Sequence, residues 1–129
     1  MYFPITALYA VPLAVLMVGL SVTVSLKRGQ FGVALGDGGH PQLNEWIRRH
    51  ANFAESVPFA LLLMALAEAQ GAGIALLHSA GLILLVARII HPFGIDNDRP
   101  AAPLRIIGAV GTSAATLIAA ASLARNLIG

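Results

Sequence analysis

Residues 44–67, NEWIRRHANFAESVPFALLLMALA, begin with two arginines, a histidine and two glutamates and end in an uninterrupted apolar run. The whole chain is 57% hydrophobic and only 11% charged, so this density of charge at the mouth of an apolar helix needs a physical reason. Length alone gives one domain covering residues 1–129. A mean hydropathy of +0.80 with 6% aromatics does not describe a soluble globule, and the solvent is read as a bilayer. Crossing a hydrocarbon core about 30 Å thick takes roughly 20 mainly apolar residues. Four segments meet that standard, at residues 3–26, 47–68, 73–90 and 103–127. The fold class is therefore an all-α membrane protein, a bundle of four transmembrane helices.

The connections support this division. KRGQFGVALGDGGHPQ concentrates glycine, aspartate and proline and reads as an irregular connector. AQGAG reads as a tight turn, and HPFGIDNDRPAAP should stop the third helix near His91 and start the fourth near Pro103. The first span lacks a basic leader, and its apolar run exceeds the roughly 7–15 residues of a signal-peptide core, so it reads as a retained helix. Lys27, Arg28, Arg48 and Arg49 flank the first loop, and Arg88, Arg99 and Arg105 flank the third, against Arg125 alone on the other face. The positive-inside bias then puts both loops in the cytoplasm and both termini outside. Cations scattered at membrane edges are topology signals rather than a nucleic-acid surface. Without cysteine, disulfides, thiolate metal sites and a cysteine nucleophile are excluded.

At 100° per residue, Arg48, Asn52 and Glu55 lie within about 60° of one another, and Glu45 widens the arc to about 80°. Arg49 and His50 point elsewhere and are expected to reach headgroups or water. Glu55 lies about 10 Å along the axis from Arg48, beyond expected pairing on one helix, and an acid at that depth requires a partner or a polar cavity. Arg88 on the third helix is the expected partner, either as a structural pair or as part of a cavity that binds a ligand. His91 follows Arg88 on nearly the same face, and Arg105, Thr112 and Thr116 share an arc of about 40° on the fourth helix. His78, alone in the outer half, reads as an interhelical hydrogen-bonding residue. No metal-binding repeat such as HExxH occurs, so no metal site is assigned. The small residues of the fourth span, Gly108, Gly111, Ser113, Ala114, Ala115 and Ala119–Ala121, suit close helix approach, within the bundle or between copies.

Four stretches together resemble the MAPEG family, the membrane-associated proteins in eicosanoid and glutathione metabolism, over essentially the whole chain. They are GDGG at 36–39, RRHANFAESVP at 48–58, LHSAGLILLVARIIHPFG at 77–94 and PLRIIG at 103–108. The wording HANFAE followed by VP is most similar to the family's bacterial branch, which points to a bacterial inner membrane. The resemblance implies a left-handed four-helix bundle assembled as a homotrimer, with glutathione bound between subunits near the cytoplasmic face. It implies glutathione binding by Arg48, Asn52, Glu55, Arg88, His91 and Arg105. Arginines suit the two carboxylates, and Glu55 suits the ammonium. Two positions depart from the pattern of glutathione-using relatives: Ala51 stands for a second arginine, and Ile95 for a tyrosine. Neither side chain stabilises a thiolate, and Tyr2 and Tyr9 lie in the outer half of the first span, which leaves Arg105 as the catalytic candidate.

Three functions follow. One is a glutathione-dependent transferase or peroxidase acting on lipophilic electrophiles. The second is a non-catalytic membrane protein that holds glutathione, a lipid or a small anion in the same cavity. The third, a transporter, would need an ionisable group open to both faces. A first span free of charge and polar groups gathered at one end argue against it.

Overall fold

A computed structural model describes residues 2–128, and all regular structure among them is helical. Four helices follow in order: α1 (Pro4–Phe31), α2 (Pro41–Ala69), α3 (Ile74–Ile90) and α4 (Pro103–Ile128). A single 3-10 turn, His91–Gly94, extends α3. All four segments are long and apolar enough to cross a membrane. Proline opens α1, α2 and α4, where the missing N–H has no helical acceptor to lose and the fixed φ already suits the helix.

Helix ends and hydropathy limits do not coincide. α1 runs past residue 26 to Phe31, carrying Lys27 and Arg28 on a helical extension beyond the apolar run. It stops where Gly32 takes φ 65° and the Val33 N–H reaches back to the Arg28 carbonyl at 3.0 Å. α2 likewise begins at Pro41, six residues before the apolar stretch, so the irregular connector expected over KRGQFGVALGDGGHPQ shrinks to residues 32–40. The AQGAG turn does end α2 as a tight turn: Gly71 sits at φ 75° and the Ala72 N–H bonds the Ala67 carbonyl at 2.9 Å. Pro58 is taken up inside an unbroken α2.

α1 and α4 each pack against both α2 and α3. The core between them is Leu13 and Leu20 from α1, Phe53, Val57 and Met64 from α2, and Leu84 from α3, closed by Ala115 and Ala119 of α4. The buried face of α4 is a seam of small residues, Gly108, Thr112, Ala115, Ala119 and Ser122. A Cβ at Gly111 would fall 2.9 Å from the Ala87 Cβ, so this seam sets how closely α4 lies on α3. The outward faces are apolar. Val11, Val15 and Val18 of α1 are each more than 60% exposed, an arrangement stable only where lipid is the solvent.

Toward the end opposite the basic residues, α1 meets α3 through Tyr9, whose hydroxyl is 2.9 Å from His78 Nδ1. His78 is thus the interhelical residue its isolation suggested. Gly81 makes room for the Tyr9 ring, into which any Cβ would project. Gly81→Ala is expected to push Tyr9 out of this seat, break its contact with His78 and cost about 1–3 kcal/mol. A fall in the thermal midpoint of detergent-solubilised protein, reversed in part by a smaller residue at position 9, checks this.

Candidate functional site

The basic ends of α2, α3 and α4 enclose a cleft of about 170 Å³, completed by the connection between α3 and α4. α2 contributes Glu45, Arg48 and Asn52, the 3-10 turn contributes His91, and α4 contributes Arg105. Ile95, Asp96, Asn97 and Pro100 form the remaining wall. Four of the six residues singled out from the sequence, Arg48, Asn52, His91 and Arg105, therefore meet around one space.

His91 is 3% exposed, and its ring makes no hydrogen bond to the described residues. A Cβ at Gly108 would collide with His91, so the glycine allows α4 to seat directly against the histidine backbone. Gly94 does the same one turn on, where the backbone of Leu104 and Arg105 occupies the space of a side chain. These two close approaches bring Arg105 to the rim of the cleft.

Arg88 lies beneath this floor, 2% exposed. Its Nη1 donates to Asn52 Oδ1 at 2.7 Å and to Ser56 Oγ at 3.3 Å, and its Nη2 donates to the Gly108 carbonyl at 3.0 Å. No carboxylate among the described residues pairs with it. The expected Glu55–Arg88 pair does not form. Glu55 instead turns to Arg48, with 3.8 Å between Nη1 and Oε1. The long arginine side chain lies along the helix surface and spans the two turns that were expected to separate them. Both side chains are more than half exposed, so the contact contributes little to stability. Glu55 lines a different opening of about 370 Å³ between α2 and α4, with Ser56, Phe59, Thr112, Ser113 and Thr116. Thr112 and Thr116 both donate to carbonyls one turn back, at 2.8 Å.

Arg49 also departs from expectation. It is turned inward with 17% of its side chain exposed, donates to the Ile95 carbonyl at 2.8 Å and lies over the Trp46 ring at 4.4 Å. Glu45 works with it, accepting from the Asn97 backbone N–H at 3.1 Å and from its side-chain amide at 3.0 Å. Asn97 also donates to the Pro41 carbonyl at 2.8 Å. Together these bonds strap the α3–α4 connection onto the first two turns of α2 and hold up one wall of the cleft. The sequence offered partial signals of this: Glu45 sits on the edge of the polar stripe, and IDND is rich in residues that bond to backbone.

A sequence profile of the MAPEG family matches residues 6–125. The chain belongs to the MAPEG family. Among the proteins it is similar to are the inner membrane proteins YecN of Escherichia coli strain K12 and of Escherichia coli O6:H1 strain CFT073. Each is 41% identical over 93 residues, which span 72% of this chain and 71% of the relative. With four apolar helices of spanning length, this MAPEG chain is an integral membrane protein. Chemically, its cleft offers donors at Arg48, Asn52 and Arg105, a buried imidazole, and two wall carboxylates already engaged with the loop, Glu45 with Asn97 and Asp96 with the Asp98 N–H at 2.8 Å.

Proposed function

We propose that this MAPEG protein is a glutathione-dependent transferase or peroxidase that acts on lipophilic electrophiles entering from the bilayer. It works as a homotrimer in the bacterial inner membrane, with its first and third loops in the cytoplasm and both termini outside. The observation that carries this reading is the convergence of Arg48, Asn52, His91 and Arg105 on one cleft. Glutathione brings two carboxylates, an ammonium and a thiol. Arg48 suits a carboxylate, and Arg105 supplies the positive charge that favours the thiolate over the thiol. A cleft of about 170 Å³ falls short of the roughly 300–1,000 Å³ of sites that enclose a small ligand, which favours a second copy supplying the missing wall. Glu55, exposed beside the α2–α4 opening, would then meet the ammonium at the junction between copies. An apolar groove of about 270 Å³ between α3 and α4, lined by Leu82, Val86, Ile90 and Ile107, suits the lipophilic partner.

Titration of glutathione into detergent-solubilised protein tests this. Arg105→Leu and Glu55→Gln should each weaken binding about tenfold to a hundredfold, the value of a lost hydrogen bond to a charged group. Wild-type affinity in both variants would remove the assigned site.

One observation favours a second reading, a non-catalytic protein that holds glutathione, a lipid or a small anion in the same cavity. Ile95 is buried in the cleft wall at the position where glutathione-using relatives carry tyrosine, and Ala51 replaces the neighbouring arginine. Binding without turnover across a panel of electrophiles and hydroperoxides decides for this alternative.

A further inference from the structure

Arg88 is the largest fully buried side chain among the described residues, and its position is unusual chemically: a guanidinium in a membrane-embedded core with only neutral acceptors around it. Its Nε is buried without any partner. Burying a cation without a counter-charge is destabilising, and an apolar side chain of similar volume would fill the same space at less cost. Nor does the protein lack an acid to offer. Glu55 lies one turn from Asn52 on the same helix, yet it turns to Arg48. Packing therefore does not account for Arg88, and its bonds suggest what does.

A guanidinium only donates, so its 2.7 Å contact with Asn52 admits one orientation of the amide, with the oxygen toward Arg88. The Asn52 nitrogen, with its two N–H donors, finds no acceptor among the described residues, and Asn52 lines the cleft. We infer that Arg88 is a positioning residue that fixes the polarity of the cleft floor, holding Asn52 with its donors toward the cleft and so selecting an anionic group of the ligand there. The contacts of Arg88 to Ser56 on α2 and to the Gly108 carbonyl on α4 tie that orientation to two further points of the bundle. Asn52, Arg48 and Arg105 then present donors only, and the uncompensated charge of Arg88 adds to the attraction from below.

This inference rests on the glutathione reading for the identity of the ligand, but its geometric half is measurable without ligand. In the solubilised full-length protein, the Asn52 side-chain amide should give one well-resolved pair of 1H–15N signals. Arg88→Met should shift or broaden that pair while leaving the thermal midpoint unchanged or raised. Asn52→Asp should also keep the fold, since the new carboxylate pairs with Arg88, but it replaces donors by acceptors and should weaken glutathione binding at least about tenfold. Glutathione diethyl ester and S-methylglutathione distinguish which anion is selected: loss of affinity with the first identifies a carboxylate, with the second a thiolate. The inference is overturned by an amide pair indifferent to Arg88→Met, by a large drop in its thermal midpoint, by wild-type affinity in Asn52→Asp, or by equal affinity for both derivatives and glutathione. Absence of glutathione binding in the wild type, with an amide pair that still responds to Arg88→Met, removes the proposed ligand and leaves the positioning role standing.

Discussion

Gly94→Ala is expected to destabilise the protein by about 3 kcal/mol and to abolish ligand binding at the cleft. Overpacking typically costs about 1–3 kcal/mol, and the upper end applies when no side chain can move aside. At Gly94 the obstacle is backbone: a Cβ would enter the space of Leu104 and of the Arg105 N and Cα. Relief requires the first turn of α4 to move bodily, and Arg105 moves with it. The neighbouring glycines provide an internal scale. At Gly111 the nearest atom is the Ala87 Cβ at 2.9 Å, a contact that a small helix shift relieves, so Gly111→Ala should be milder. Thermal unfolding followed by circular dichroism, with glutathione calorimetry on the folded fraction, reads both effects. A Gly94→Ala protein with the parental midpoint would mean that α3 and α4 do not approach this closely.

The second large effect belongs to Glu68, at the far end of the bundle. α1 has no side-chain cap of its own, and the carboxylate of Glu68 from α2 takes that place, accepting from the Ile5 N–H at 2.9 Å and the Thr6 N–H at 2.8 Å. The negative charge also sits against the positive end of the α1 dipole. Hydrogen bonds to charged groups are worth about 1.5–3 kcal/mol, so Glu68→Ala should cost about 2–3 kcal/mol. Glu68→Gln, which keeps one good acceptor but no charge, should lose less. Amide hydrogen exchange at Ile5 and Thr6 should accelerate in both variants while exchange at Phe53 and Val57 stays slow. Uniform acceleration along the chain, or none, would show that Glu68 does not cap α1.

The four spans were legible because the bilayer demands about 20 apolar residues from each. Their ends were not, since an amphipathic helix can continue into the interface until a residue such as Gly32 turns the chain, and hydropathy is blind to that choice. Periodicity placed Arg48 and Asn52 on one face of α2, and they do share the cleft. It placed Glu55 there too, but a helical wheel ignores depth, and the cleft ends before Glu55 is reached. Charge matching misassigned Arg88, because its guanidinium donates to an amide oxygen, a hydroxyl and a carbonyl, which supply hydrogen bonds without a counter-charge. The contacts of Glu45 to Asn97 and of Glu68 to Ile5 join residues 52 and 63 positions apart, and no local pattern encodes such pairs.

The strap between α2 and the α3–α4 connection separates two tasks that usually share residues. Arg49, Glu45 and Asn97 fasten the wall at the Ile95 carbonyl and at Asn97, while Asp98, Arg99, Pro100 and Ala101 beyond those anchors are exposed. The exposed portion is therefore an exchangeable cassette between the Asn97 anchor and the start of α4 at Pro103. Substitutions or short insertions there can reshape one side of the cleft without altering helix packing, which gives this bundle a route to new ligand preferences that leaves its membrane-embedded core untouched.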